Sequence, residues 1–224
     1  MAKINYYINT YGYFKQLNPN LNSGMLLDYG SNYGMFLDSS KGEFAQESYT
    51  GVDIDIDALD AGKLMFPRAN FIYYNRFNHA YNPSGEHDVW PILPNKYSTI
   101  ISYSVFTHTT QEDMIDTIRW LYNHLEDNGK LIVSYASTKN EKAIRFYTKK
   151  QFNSFETFEW GNNNVIYVSD NFKDVSTPKL GKMYFTFYNL DYLKDLLKDY
   201  TVEFFNAPPN IKNCFQECLV VTKQ

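Results

Sequence analysis

Cysteine is nearly missing from this chain: Cys214 and Cys218 are the only two thiols in 224 residues. That excludes a disulfide scaffold. With no His cluster near them the pair makes no metal site, and a reduced cytoplasmic chain is expected. One-sided charge is missing too. The net charge is -4, the isoelectric point is about 5.6 and no stretch concentrates Lys or Arg, so the electrostatic footprint of a nucleic-acid partner is lacking. No apolar run reaches the roughly 18 residues of a spanning helix, and Met1 is not followed by a basic-then-apolar leader. Neither a membrane partner nor a signal peptide is expected. Internal repeats and low-complexity tracts are absent as well.

Aromatic rings, by contrast, are abundant: 20 Tyr and 17 Phe contribute to an aromatic share of 18%, within 44% hydrophobic residues overall. That is enough apolar material for one full core, with tyrosines left over for the walls of a ligand pocket. Short apolar runs alternate with helical patterns: Met25-Leu26-Leu27, Tyr49–Asp53, Asn70–Tyr74, Thr99–Tyr103 and Lys130–Tyr135. Ile56–Met65 reads as one helix between them. A second carries Met114, Ile118, Leu121 and Leu125 on one face and is expected to end at Asn128-Gly129. Connections of that size do not form hairpins, so these strands are expected to be parallel.

After Ser137 the pattern becomes polar. Asn140–Lys150 reads as a short helix with a basic face, and Phe152–Lys182 as two short aromatic strands around Gly161-Asn162-Asn163-Asn164. The reading is one domain over 1–224, with an N-terminal lid over 1–20 and a cap insertion over about 138–188. Val202–Phe205 and Glu217–Thr222 are close enough to pair as a closing hairpin that adds an antiparallel strand at the sheet edge.

The chemistry concentrates in the turn after the first run, Asp28-Tyr29-Gly30-Ser31-Asn32-Tyr33-Gly34. A Gly-rich turn between a parallel strand and a helix is where an open sheet binds its ligand. Gly30 permits backbone angles closed to other residues and a close ligand approach. The dinucleotide fingerprint seats a pyrophosphate and needs a glycine where this chain has Asn32, so a nicotinamide cofactor is disfavoured. Asp53 ends the second run, 25 residues after Asp28, where a carboxylate can accept both hydroxyls of a ribose. The bland alternative, a helix cap, is better served by Asp55 or Asp57.

These segments in this order resemble the class I S-adenosylmethionine-dependent methyltransferases. Leu26–Gly34 stands where that family has its acidic, Gly-rich loop, and Tyr49–Asp55 is similar to its second-strand acid. Tyr97–His108 resembles its fourth strand and the turn beside the methyl donor, Leu121–Ser134 its helix-Gly-strand segment, and Phe215–Val221 its terminal strand. The resemblance implies an α/β fold: a seven-stranded, mostly parallel Rossmann-like sheet with helices on both faces and an antiparallel last strand. It implies S-adenosyl-L-methionine as cofactor. Gly30 and Ser31 would then approach the methionine part, in one loop with Asn32 and Gly34, and Asp28 would lie near its amino group. Asp53 would hold the ribose and Ile54 would pack on the adenine. Asn75, with Arg76 and Phe77 beside it, occupies the place of the family's adenine-edge acid. Ser102, Tyr103 and Ser104 would border the donor.

For the acceptor, a hydroxyl would want a base near the operating pH, and His108, just past the fourth run, is the first candidate. Tyr11 is the second, from an N-terminal segment that also supplies Tyr6, Tyr7, Tyr13 and Phe14 as a lid. His79 and His87 lie in a long loop, and His124 reads as a helix C-terminal cap. Arg145, Lys149 and Lys150 offer a basic face to an anionic group. The expected activity is O-methylation of a small polar metabolite: a sugar, a sugar phosphate or a nucleotide-linked precursor. The chain also resembles methyltransferases of bacterial surface-glycan and capsule biosynthesis. A NAD-dependent oxidoreductase and a non-catalytic S-adenosylmethionine-binding protein are the alternatives, and the oligomeric state is left open.

Overall fold

Period-two alternation inside the apolar runs sets the architecture. Leu27, Ile100, Leu131, Val133, Leu219 and Val221 point to one hydrophobic cluster, while their neighbours Leu26, Ile101, Ile132, Cys218 and Val220 point to another. Strands buried on both faces need helices on both faces, which is why they read as continuous apolar runs. The computed structural model describes residues 8–78, 81–144, 157–158, 165–169, 184–208 and 216–224. The elements are α1 (Thr10–Leu17), β1 (Leu26–Tyr29), α2 (Met35–Ser40), β2 (Tyr49–Asp53), α3 (Ile56–Met65), β3 (Asn70–Tyr73), β4 (Tyr97–Ser102), α4 (Gln111–Asn123) and β5 (Leu125–Tyr135). Then follow β6 (Thr157–Phe158), β7 (Val165–Ser169), β8 (Tyr184–Tyr188), α5 (Leu190–Leu196), β9 (Thr201–Phe205) and β10 (Glu217–Thr222).

Seven strands form one sheet in the order β3-β2-β1-β4-β5-β10-β9. The first five are mutually parallel, and β10 runs antiparallel to both β5 and β9. The expected fold class is therefore the observed one. One detail differs: β10 lies inside the sheet and β9 forms the edge. All-apolar Cys218–Val221 buries both faces between β5 and β9, whereas β9 carries a polar alternation that suits an edge.

Helices α4 and α5 cover one face through Met114, Ile118, Leu121, Leu193 and Leu197, and α1, α2 and α3 cover the other through Phe14, Phe36 and Leu59. Among the described residues no helix is long and apolar enough to cross a membrane. Helix α4 starts at the Thr110 cap and stops at Asn123, five residues before the expected Asn128-Gly129. His124 ends it, with its Nδ1 2.8 Å from the Trp120 carbonyl. Asn128, in the left-handed region at φ 63, instead turns the chain within β5, and its N–H donates to the Lys223 carbonyl at 3.0 Å. Helix α3 and the cap Asp55, which accepts from the Ala58 N–H, match expectation.

Within the polar insertion, β6, β7 and β8 form a separate three-stranded antiparallel sheet. Of the expected Asn140–Lys150 helix, residues 141–144 are helical, and 145–150, with Arg145, Lys149 and Lys150, lie outside the described residues. Strand β8 is fastened to the body: Tyr188 N–H donates to Ala136 O at 2.8 Å, and the buried Thr186 Oγ1 donates to Thr109 O at 2.7 Å. Thr186→Val keeps the shape but removes that donor, stranding a buried carbonyl. It is expected to lower unfolding stability by about 1–3 kcal/mol, measured by urea denaturation; an unchanged midpoint would show that this anchor contributes nothing.

Candidate active site

The carboxyl ends of β1, β2 and β4 open onto a cavity of about 380 Å³. Its floor is the turn after β1. Gly30 adopts φ 80, and a Cβ there would collide with the Val105 side chain, so glycine is required by conformation and by space. Asn32 takes φ 51, a left-handed angle that asparagine tolerates, which accounts for its standing where a glycine was otherwise expected.

The turn is hydrogen-bonded almost entirely to its own surroundings. Gly30 and Ser31 donate their N–H groups to Val52 O at 2.9 and 3.1 Å, and Tyr33 donates to Asn32 Oδ1 at 2.9 Å. Gly34 and Met35 donate to Ser31 O at 3.0 and 3.3 Å. A pyrophosphate needs such amides turned outward, and here they are occupied. The remaining donor, the Asn32 N–H, goes to Asp53 Oδ2 at 2.7 Å, while Asp53 Oδ1 accepts from the Asp55 N–H at 3.0 Å. The Ile54 amide also acts on the Asp53 carboxylate, and the residue lines the cavity. Burial pushes its pKa up, against the pull of these backbone donors.

Of the site residues expected from sequence, Gly30, Asn32, Asp53, Ile54, Tyr103, Ser104 and His108 line the cavity. The others do not. Ser31 and Ser102 are buried, the latter donating to Tyr29 O at 3.0 Å. Gly34 faces Phe66 and Phe71 and caps α2. Asn75 turns aside to accept from Tyr73 Oη and Asn82 Nδ2, and Arg76 and Phe77 take the wall in its place. Tyr11 packs on Phe36 and donates to Glu43 Oε2 at 3.0 Å, in the cluster that α1 shares with α2. Asp28 is buried behind the turn, accepting from Tyr49 Oη at 2.7 Å.

His108 ends a one-turn 3₁₀ helix, Phe106–His108. Its N–H donates to Val105 O at 2.8 Å, and its carbonyl accepts from Asn78 Nδ2 at 2.9 Å. The imidazole lies against Phe185 of β8 and the edge of Tyr81, with ring centroids at 4.6 and 5.3 Å. His87 is stacked on Phe77, and His79 lies outside the described residues.

A polar pair that the linear pattern does not single out closes one end of the cavity. Arg76 Nη2 donates to Asp113 Oδ1 at 3.0 Å, and its guanidinium lies 4.1 Å from the centre of the Trp90 ring, which stacks on Trp120. A buried guanidinium needs such a partner. Asp113 reads in sequence only as an acid favoured by a helix N-terminus, because its partner is 37 residues away. Among the described residues no cluster of His, Cys, Asp or Glu could hold a metal ion.

Comparison with known proteins agrees with this geometry. A family model described as a methyltransferase domain matches residues 11–201. Among solved structures, an S-adenosylmethionine-dependent methyltransferase from Clostridium acetobutylicum ATCC 824 superposes with a TM-score of 0.60 at 15% identity, covering 99% of this chain and 93% of that one. Magnesium protoporphyrin IX methyltransferase from Synechocystis PCC 6803, with bound S-adenosylhomocysteine, gives 0.58 at 13% identity over 96% and 80%. The glycopeptide N-methyltransferase MtfA, complexed with the same compound, gives 0.59 at 11% over 96% and 87%. No curated protein matches the sequence.

Burial raises the Asp28 carboxyl to about 7, partly opposed by the Tyr49 hydrogen bond. A carboxyl whose pKa is higher folded than unfolded gives stability that is full below the unfolded value of 3.8 and lost as pH rises through about 7. Asp28→Asn should abolish that loss. Its thermal stability is expected to equal the parent's near pH 4 and exceed it at pH 8, by up to about 4 kcal/mol. A variant tracking the parent at both pH values contradicts this.

Proposed function

The chain belongs to the methyltransferase-domain family, and on that premise we propose that it transfers a methyl group from S-adenosyl-L-methionine to a small polar acceptor. The observation that carries the reading is Asp53: a half-buried carboxylate on the cavity wall, pinned by the turn after β1 and able to accept from the hydroxyls of a ribose. The neighbouring wall suits an adenosyl group. Ile54 and Val105 offer apolar surfaces for the two faces of a purine. The Arg76–Asp113 pair offers a donor and an acceptor to its edge, where the family's acid would otherwise stand. The occupied amides of the turn argue against NAD.

The sulfonium supplies an already activated methyl group when bound. What remains for the chain is alignment, which in the best cases contributes about 7–11 kcal/mol, and exclusion of water. His108 lines the cavity with its imidazole ring between Phe185 and Tyr81, and is our candidate for taking a proton there. That fits a hydroxyl acceptor. A cavity of about 380 Å³ and an acidic chain favour a compact metabolite over a polymer. We therefore favour a sugar, a sugar phosphate or a nucleotide-linked precursor of the surface-glycan kind.

Isothermal calorimetry tests the donor side. S-adenosylhomocysteine is expected to bind at micromolar concentration and NAD not to bind; failure of the first removes the reading. Asp53→Ala should weaken S-adenosylhomocysteine at least about tenfold, since a charge-assisted hydrogen-bond partner is lost. For the acceptor, mass spectrometry on a panel of sugar phosphates and nucleotide-linked sugars should find a product heavier by one methylene. His108→Gln should then lower kcat by about 100-fold or more with S-adenosylhomocysteine affinity kept; unchanged turnover would exclude His108 as a base.

A further inference from the structure

Ser104 stands out on the cavity wall because it adopts φ 60 without being a glycine. Such an angle costs free energy and persists only where the surroundings impose it. Here the surroundings are a closed ring of hydrogen bonds. The Ser104 N–H donates to Ser134 Oγ at 2.7 Å, and Ser134 Oγ donates to Gln216 Oε1 at 2.6 Å. Gln216 Nε2 donates back to Ser104 Oγ at 2.9 Å. Ser134 and Gln216 are buried, at 0% and 1% exposure, so the bond between them is shielded from competing water. Thr107 Oγ1 adds contacts to the same residue, 3.0 Å from Ser104 O and 3.2 Å from Ser104 Oγ.

The turn so held is next to the cofactor loop. Tyr103 and Val105, on either side of Ser104, both line the cavity, and Val105 packs where a Cβ of Gly30 would be. Rotation of Ser104 out of the left-handed region would drive Val105 against the loop or away from it.

We propose that Gln216, at the start of β10, is a positioning residue for the cofactor site: by closing a ring through Ser134 it imposes the left-handed backbone of Ser104 and so sets the wall formed by Tyr103 and Val105. Gln216 touches no ligand in this scheme and acts through Ser104. The proposal rests on the reading of the cavity as an S-adenosylmethionine site, and goes beyond it in assigning a role to a residue outside the cavity.

The test is a double-mutant cycle read by calorimetric binding of S-adenosylhomocysteine to the full chain. Gln216→Met preserves length and removes both ring bonds; it is expected to weaken binding about tenfold. Ser104→Gly adopts the left-handed angle unaided, so, whatever its own affinity, adding Gln216→Met to it should change binding by less than about threefold. A residue that merely packs β10 would not be rescued by a glycine at 104. If Gln216→Met binds normally, or if its defect survives in the double variant, the proposal is overturned. Should Gln216→Met not fold, Ser134→Ala breaks the same ring and carries the same expectation of loss and glycine rescue. Absence of binding by the parent protein would instead refute the cofactor reading itself.

Discussion

The carboxylate of Asp53 ties two adjacent strand ends into one surface. It leaves the last residue of β2, accepts the Asn32 N–H from the turn after β1, and steadies its own exit through the Asp55 N–H. The turn contributes its other amides to Val52 and to itself, so it is rigid before any ligand arrives. Much of the site depends on that tie. A turn with outward amides would suit a phosphate, whereas this one presents the Asp53 carboxylate at a cavity wall. The same backbone geometry thus leaves few free amides for a pyrophosphate.

Around the tie, the site is built by groups that neutralise or buttress one another. Arg76 is half cation for Asp113 and half lid for the Trp90–Trp120 stack, so a buried charge is tolerated within an aromatic region. His108 is held from both sides, by Asn78 of the loop after β3 and by Phe185 of β8. The polar insertion is therefore joined to the active side of the sheet through the turn carrying His108, by way of Thr186 and Tyr188. Helix α1 reaches the same region indirectly, since Tyr13 and Phe14 pack on Tyr103.

The succession of strands and helices was legible because burial on both faces leaves unbroken apolar runs with helix-sized gaps, and Gly30 and Asp53 stood out at the ends of two of those runs. Three features escaped. Helix α4 carries a pattern that continues to Leu125, but Leu125 and the turn at Asn128 belong to β5, whose pairing with β4 overrides helical periodicity. The edge position of β9 depends on a pairing choice that local pattern leaves open. Tyr11, chosen as a tyrosine near the expected lid, packs against α2, because its helix is seated on the face opposite α4.

By itself, then, the sequence determined the alternation of strands and helices, the parallel direction of the first five strands, and a glycine and an acid at two neighbouring strand ends. These follow from side-chain period, connection length and backbone freedom, all of which are local. Only the tertiary structure decided that Asp53 closes on Asn32, that Arg76 and not Asn75 turns inward, and that Gln216 reaches Ser104 across 112 residues. Those are pairings between polar groups far apart in the chain. A hydrogen bond depends on distance and angle, and neither exists until the sheet has brought its strand ends side by side.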